Sequence, residues 1–184
     1  MSTNQSAGSK EGRTGLVIPV PAADPLLASV AARYPGTVRE GVGAHVSLLY
    51  PFVPAPELDQ DVTDTLSELF AGQPWIPVTF TQCRRSQGFV FLRPEPVDEL
   101  KTLTKKARRR WPGVDGGRAH DDVGPHLTVA MGATEQAAAT IEREVTAALP
   151  ISARLREVWL VAFDGKWGLR SRFELAPVRR TTNR

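Results

Sequence analysis

Two short apolar segments of this 184-residue chain share one pattern, a histidine followed two positions later by a hydroxyl residue. The first segment contains His45 and Ser47, the second contains His126 and Thr128, and 81 residues separate the two histidines. Large apolar and β-branched residues surround both pairs, which is typical of strands. Because side chains alternate between the faces of a strand, each histidine shares a face with its hydroxyl and leaves an apolar face for packing.

The elements around these two strands recur in a similar order, which predicts a duplicated unit. The predicted elements of the first half are a strand over 15–20, a helix from an N-cap at Asp24 to Tyr34, a strand over 44–52, a helix over 57–71 and a hairpin of 76–81 with 88–92. Those of the second half are a helix over 97–111, a strand over 125–131, a helix over 135–149 and a hairpin of 154–163 with 169–175. Both halves mix helices with hairpins, which favours an α+β fold.

The composition fits one globular domain with polar ends. Hydrophobic residues make up 41% of the chain, enough for a sizeable core. We predict a disordered tail over 1–13, one domain over 14–177 and a basic tail over 178–184. No apolar run approaches the ~18 residues of a membrane span and the first residues are polar, so we expect a cytoplasmic protein. The single cysteine, Cys83, excludes an intramolecular disulfide and a cysteine zinc site.

The two histidine–hydroxyl pairs suit acid–base chemistry on a phosphodiester. One group must deprotonate water and another must protonate the leaving oxygen, and histidine does both because its ordinary pKa is about 6.5. Ser47 and Thr128 would bind phosphate oxygens as negative charge builds on them. One such histidine alone is more often a packing residue, so the hypothesis rests on the repeated pattern. It makes His45 and His126 catalytic, leaves open which is the base, and requires no metal.

The segments 45–52 (HVSLLYPF) and 125–129 (PHLTV) resemble the paired signatures of the 2H phosphoesterase superfamily, close to its 2'-5' RNA ligase-like and cyclic nucleotide phosphodiesterase branch. The resemblance covers 15–175. It implies a bilobal α+β fold, a duplicated unit with two pseudo-symmetric mixed or antiparallel sheets flanked by helices around a central cleft. It also implies hydrolysis of 2',3'-cyclic phosphates or related RNA and nucleotide phosphodiesters, without a cofactor. RNA 2'-5' end-joining on the same site and a non-catalytic RNA-binding module are the alternatives.

Further candidate substrate contacts are Tyr50, His120, Trp167 and Arg170. Tyr50 either contacts substrate or packs in the core or between lobes. His120 lies in a glycine-rich stretch that we interpret as a rim loop, and its pairing with Asp121 lacks the other ligands that a metal site needs. Trp167 lies beside cations, so it either stacks on a base or closes an edge of the core.

Basic residues crowd one predicted helix, while the net charge of the chain is only +3. The cluster consists of Lys101, Lys105, Lys106, Arg108, Arg109 and Arg110. Such a cluster is either a solvated helix face or a track for phosphates. We expect a nucleotide or RNA-end substrate, no membrane association, no obligate protein partner and a monomeric protein.

Overall fold

The framework of the protein is one antiparallel sheet, seen in a computed structural model that describes residues 10–114 and 124–177. The described residues form eight strands: β1 Thr14–Pro19, β2 His45–Leu49, β3 Ile76–Ser86, β4 Phe89–Glu95, β5 Leu127–Ala130, β6 Ile151–Leu155, β7 Glu157–Asp164 and β8 Lys166–Glu174. They also form four α-helices: α1 Asp24–Arg33, α2 Gln60–Ala71, α3 Asp98–Arg110 and α4 Glu135–Ala147. The predicted α+β class is confirmed.

The strands that carry the histidine–hydroxyl pairs are neighbours at the centre of the sheet. The strand order is β6-β3-β4-β5-β2-β1-β7-β8. Strands β2 and β5 run antiparallel, with Val46 paired to Leu127. Continued by one residue in each direction, this register sets His45 opposite Thr128 and Ser47 opposite His126. The four polar residues therefore lie together on one face of the sheet.

The other face of the central strands builds the core. Val46 and Leu48 of β2 and Leu127 and Val129 of β5 are all buried, whereas Ser47 is exposed. The helices cover this face with buried residues at three- and four-residue spacing: Leu66 and Phe70 of α2, Leu100, Leu103 and Ala107 of α3, and Ala138, Ile141 and Val145 of α4. Burial of this apolar face holds the polar face outward.

The structure has one sheet where the sequence predicted two. The β2–β5 pair joins four strands on one side, β6-β3-β4-β5, to four on the other, β2-β1-β7-β8. Each set draws on both halves of the chain, because β1 pairs with β7 and β3 pairs with β6. The duplicated, bilobal arrangement stays a prediction.

Two local predictions differ from the structure. Ala23, and not Asp24, occupies the N-cap of α1, because the Asp24 carboxylate accepts a hydrogen bond from the Ala44 N–H at 2.7 Å.

The predicted strand over 154–163 is two strands in the structure. Strand β6 ends at Leu155 and pairs with β3, while β7 begins at Glu157 and pairs with β1 and β8. The chain therefore crosses between the two ends of the sheet at Arg156.

The ends of the described chain pack on the sheet. Most of the predicted tail over 1–13 and all of that over 178–184 lie outside the described residues. Gly12 N–H donates to the Phe163 carbonyl at 3.1 Å, and Phe163 N–H donates to the Arg13 carbonyl at 2.8 Å. The start of the described chain is thus tied to β7. Within the described ranges, no helix is both long and apolar enough to cross a membrane.

The turn between β3 and β4 yields a prediction about stability. Gly88 has a φ of +76°, and a Cβ there would lie 2.4 Å from the Ala133 carbonyl oxygen, whereas Gly165 has a φ of +64° and no atom within 4 Å of an added Cβ. We expect Gly88→Ala to lower the free energy of unfolding by about 2–4 kcal/mol, from backbone strain plus the clash. Gly165→Ala, the matched control, should cost about 1 kcal/mol, from strain alone. Urea denaturation measures both, and equal losses would contradict the contact with Ala133.

Candidate active site

Both histidines are held by the same contact. The Nδ1 atom of His45 lies 2.7 Å from the Gly43 carbonyl oxygen, and the Nδ1 atom of His126 lies 2.7 Å from the Gly124 carbonyl oxygen. A carbonyl oxygen only accepts, so Nδ1 carries the proton in each ring. In the neutral ring the lone pair is then on Nε2. The same nitrogen, Nε2, is therefore the proton acceptor in both neutral rings.

The segment before His45 is anchored from α1. The Asp24 carboxylate accepts a hydrogen bond from the Ala44 N–H, and the Ala44 carbonyl accepts one from the Val20 N–H at 2.7 Å. Gly43 lies so close to α1 that an added Cβ would be 2.7 Å from Asp24 Oδ1. Asp24 thus holds the residue between Gly43, whose carbonyl contacts the His45 ring, and His45 itself.

Burial shifts the proton affinity of His45. The ring is half-buried, and its desolvation lowers the pKa of His45 below the ordinary value. The hydrogen bond to Gly43 acts in the opposite direction, while the positive charge of Arg39 and the electrostatic interaction with His126 lower the pKa further. His45 is therefore neutral near pH 7, which suits a proton acceptor.

Aromatic side chains enclose the His126 ring. His126 is only 7% exposed, and its ring meets Phe89 and Phe91 nearly edge-to-face, with centroids 5.3 and 5.5 Å away. The two phenylalanines stack on each other at 4.9 Å. On the His45 side, Tyr50 meets Trp167 edge-on at 5.6 Å. The two histidines therefore make the same kind of backbone contact but have different surroundings.

The polar residues of the central strands line two adjoining hollows. The larger, of about 360 Å³, is bordered by His126, Ser47 and Thr128, and the smaller, of about 20 Å³, by His45 and Ser47. The remaining described residues around the larger one are Arg39, Leu48, Leu49, Tyr50, Phe89, Lys101, Thr104, Lys105, Arg108, Gly124, Pro125 and Met131. Three residues, Arg39, Ser47 and Tyr50, border both hollows. We call the two hollows together the recess.

The structure brings most of the sequence-predicted site residues to the recess. Tyr50 borders both hollows and Trp167 borders the smaller one. Arg170 is exposed and borders neither, and His120 lies outside the described residues. The roles of all these residues stay predictions.

The described ranges also bear on two other kinds of group, metal ligands and a reactive cysteine. Within them, no group of three or more His, Cys, Asp and Glu side chains is arranged to hold a metal ion. Burial raises the pKa of the Cys83 thiol to about 12, so the thiol is protonated and unreactive at neutral pH.

Sequence reasoning left the role of some recess residues open and missed others. One side of α3 faces the recess with Lys101, Thr104, Lys105 and Arg108, which recur at helical spacing. Their spacing was visible in the sequence, but the choice between solvent and phosphate was left open. Arg39 comes from the loop after α1 and Phe89 from the start of β4, and neither carries a local signal. Arg39 Nη2 lies 3.0 Å from Met131 Sδ, which directs it over the end of β5.

Solved structures share this fold. Escherichia coli LigT in its apo form is 22% identical, with a TM-score of 0.61 over 91% of this chain and 99% of that chain. LigT complexed with 3'-AMP is 20% identical, with a TM-score of 0.60 over 90% and 98%. The protein TT0787 of Thermus thermophilus is 15% identical, with a TM-score of 0.59 over 91% and 100%. At these identities the likeness concerns the fold.

The sequence identifies the family. A profile of the 2'-5' RNA ligase superfamily matches residues 19–167, which include both histidine–hydroxyl pairs and most of the recess. The chain belongs to this superfamily, one of the 2H phosphoesterases. A search of the curated proteins found no match.

The shared carbonyl contact predicts the tautomer of both rings. Long-range proton–nitrogen NMR spectra of the protein, recorded above the pKa of each imidazole, should show Nδ1 protonated and Nε2 unprotonated at His45 and His126. Free neutral imidazole populates the opposite tautomer as well, so the rings should differ from a histidine peptide measured under the same conditions. Protonated Nε2 in either ring would rule out the carbonyl contact in solution.

Proposed function

We propose that this protein is a metal-independent phosphodiesterase that hydrolyses 2',3'-cyclic phosphates or related RNA and nucleotide phosphodiesters. The proposed catalytic residues are His45 and His126, and the proposed phosphate-binding residues are Ser47 and Thr128. Membership of the superfamily supports phosphoester chemistry. The observation that carries the proposal is the matched pair of imidazoles on adjacent strands, each with its Nδ1 atom hydrogen-bonded to a backbone carbonyl two residues earlier.

In the proposed reaction, His45 is the base and His126 is the acid. His45 suits the base role because its lowered pKa leaves Nε2 unprotonated near neutral pH. It removes a proton from water as the water oxygen forms a bond to phosphorus. The bond from phosphorus to the 2' or 3' oxygen breaks, and that oxygen takes the proton from His126 Nε2. The product is a phosphate monoester, and exchange with solvent returns both rings to their starting protonation states.

The hydroxyls and cations of the recess would bind the phosphate. Ser47 and Thr128 are on the same face as the histidines, so their O–H groups can donate to the phosphate oxygens that gain charge in the transition state. Arg39 borders both hollows and so can approach the same oxygens. A guanidinium binds phosphate through two parallel hydrogen bonds, which also fixes its orientation.

The size and lining of the recess fit a nucleotide. Phe89 and Tyr50 supply apolar surface beside the polar groups, as ligand cavities usually do. Among the similar structures, LigT complexes contain 3'-AMP, ATP and NADP+, which are adenine nucleotides. For this chain we propose a nucleotide or RNA end bound through its phosphate, with Tyr50 and Trp167 as candidate contacts. Arg170 borders neither hollow and His120 lies outside the described residues, and both remain candidates.

The family name favours RNA 2'-5' end-joining as a second candidate function. In joining, the free hydroxyl of a second RNA end replaces water as the nucleophile on the cyclic phosphate, so the base and the acid keep their roles and the same four side chains suffice. Incubation of the protein with RNA ends that carry a cyclic phosphate and a free hydroxyl would separate the two candidates by product length.

Removal of either histidine should slow hydrolysis strongly. With a 2',3'-cyclic nucleotide as substrate and EDTA present, we expect His45→Ala and His126→Ala each to lower kcat about a hundredfold or more, as loss of a general acid or base does. Ser47→Ala and Thr128→Val should cost about tenfold, because each removes one of several hydrogen bonds. Thermal unfolding of each variant controls for folding.

Two results would count against this function. A wild-type protein that is inactive on cyclic nucleotides and on cyclic-phosphate RNA ends would leave the recess as a binding site, in line with a non-catalytic RNA-binding module. Strong loss of wild-type activity in EDTA, restored by a divalent cation, would contradict the metal-independent scheme.

The pH dependence should report the lowered pKa of His45. As the base, His45 is active when neutral, so kcat/KM should rise with pH and reach half its plateau below about 6.5, the ordinary value for histidine. Because the charge of Arg39 disfavours protonated His45, Arg39→Gln should raise the pKa and move this limb to higher pH. A wild-type midpoint at or above 6.5, or an unchanged midpoint in Arg39→Gln, would contradict the assignment of His45 as base.

A further inference from the structure

We propose that the recess contains a second phosphate subsite on α3, so that preferred ligands carry at least one phosphate besides the reacting one. The subsite is formed by Lys101, Thr104, Lys105 and Arg108, which we call the α3 basic face. The inference rests on the proposed function for the position of the reacting phosphate, between the two histidines. It assigns to α3 a part in selecting the substrate.

The α3 basic face is longer than one phosphate group. A rise of 1.5 Å per residue puts about 10 Å of helix axis between Lys101 and Arg108. All four members border the larger hollow together with Ser47, His126 and Thr128. The opposite side of the helix is fixed in the core by Leu100, Leu103 and Ala107. The α3 basic face therefore has a fixed orientation. A ligand that is bound between the histidines and extends along the larger hollow contacts it.

The described lining of the larger hollow contains more cationic side chains than a phosphodiester has negative charges. Among the described residues that border the larger hollow, four are cationic, Arg39, Lys101, Lys105 and Arg108, and none is acidic. A phosphodiester carries a single negative charge. The whole chain has a net charge of only +3, so positive charge is concentrated here. A cleft lined by charges of one sign raises the local concentration of the opposite ions, which here are anions.

Some cations elsewhere in the described structure have carboxylate partners. Arg85 pairs with Glu135 and with Glu142, and Arg33 pairs with Glu144 at 3.0 Å. In contrast, neither Lys101 nor Lys105 has an ion pair with another described residue. Two lysines four positions apart on a helix repel each other, so their charges do not stabilise the helix. A bound anionic ligand would give both lysines a partner of opposite charge.

The ligand class that fits is a nucleotide with two separate phosphate groups. The second group is either the 5'-phosphate of the same nucleotide or the internucleotide phosphate of an oligonucleotide end. Both present the same chemistry to the α3 basic face. Lysine ammonium groups bind phosphate as point charges from a range of directions. Thr104 borders the same hollow, and its hydroxyl donates to the Leu100 carbonyl at 3.0 Å. The subsite thus selects ligands whose second negative charge extends as far as the α3 basic face, and either the 5'-phosphate or the internucleotide phosphate can supply that charge.

A binding experiment tests the subsite without requiring turnover. Calorimetry would compare adenosine 3'-phosphate with adenosine 3',5'-bisphosphate, and with a dinucleotide that carries a 3'-phosphate and a free 5'-hydroxyl. We expect the wild-type protein to bind at least one of the two larger ligands about tenfold more tightly than the monophosphate, as an added charge-assisted contact provides. The bisphosphate and the dinucleotide distinguish the two sources of the second phosphate.

Variants on the two sides of α3 provide the matched comparison. Lys101→Gln/Lys105→Gln should reduce the preference to less than about threefold, because the added contact is lost. Lys106→Gln/Arg109→Gln removes the same charge from the same helix at exposed positions that do not border the recess, and it should keep the preference. Higher salt should weaken the preference of the wild type more than that of Lys101→Gln/Lys105→Gln.

Three results would overturn the proposal. They are equal affinities for all three ligands in the wild type, no binding of any of them, and equal loss of preference in both double variants, which would indicate a general effect of charge. The proposed hydrolysis is judged separately, by turnover of the minimal cyclic nucleotide. A catalytically inactive protein with a preserved preference would refute the function and keep the subsite, and an active protein without preference would do the reverse.

Discussion

The pairing of β2 with β5 is the interaction on which the site depends. One register pair, Val46 with Leu127, joins the two sets of four strands and at the same time sets each histidine opposite the hydroxyl of the other pair. A slip of one residue in either strand would turn its histidine into the core and its apolar residues outward. The buried side chains on the other face oppose any such slip, because exposing one of them costs about 1.5–3 kcal/mol. The hydrophobic core thus maintains the geometry of the polar face.

Similar motifs in different surroundings explain how two equivalent histidines can take different roles. Each ring has the same hydrogen bond from Nδ1 to a carbonyl two residues earlier, so the motif itself does not distinguish acid from base. The surroundings differ: the charge of Arg39 acts on His45, while Phe89 and Phe91 enclose His126. For His45, the loss of hydration outweighs the hydrogen bond that favours its charged form. The asymmetry therefore comes from neighbouring elements, which lie outside the repeated pattern.

The sequence predicted the parts of the molecule that depend on local patterns. The strands of the two motifs, the amphipathic helices α2 and α4, and the alternation of Ser47 with buried neighbours all follow from the spacing of apolar residues. The single sheet did not follow, because the contact between β2 and β5 joins residues 81 apart and leaves no local signal. The break at Arg156 was also missed, because the apolar residues on either side of it have the pattern of one continuous strand. Asp24 was assigned to a cap because its competing partner, the Ala44 N–H, is distant in sequence.

Helix α3 shows how the fold can present charge at a small cost in stability. Leu100, Leu103 and Ala107 are buried, and each contributes to the free energy of folding through the area it removes from water. The like-charge pair Lys101 and Lys105 costs about 0.2–0.5 kcal/mol at this spacing, much less than the core contacts provide. The helix can therefore hold both lysines beside the recess with no ligand bound. An anion that binds between the two lysines would reduce this repulsion. Part of the affinity for the anion would therefore come from relief of a repulsion that the core contacts of α3 already offset.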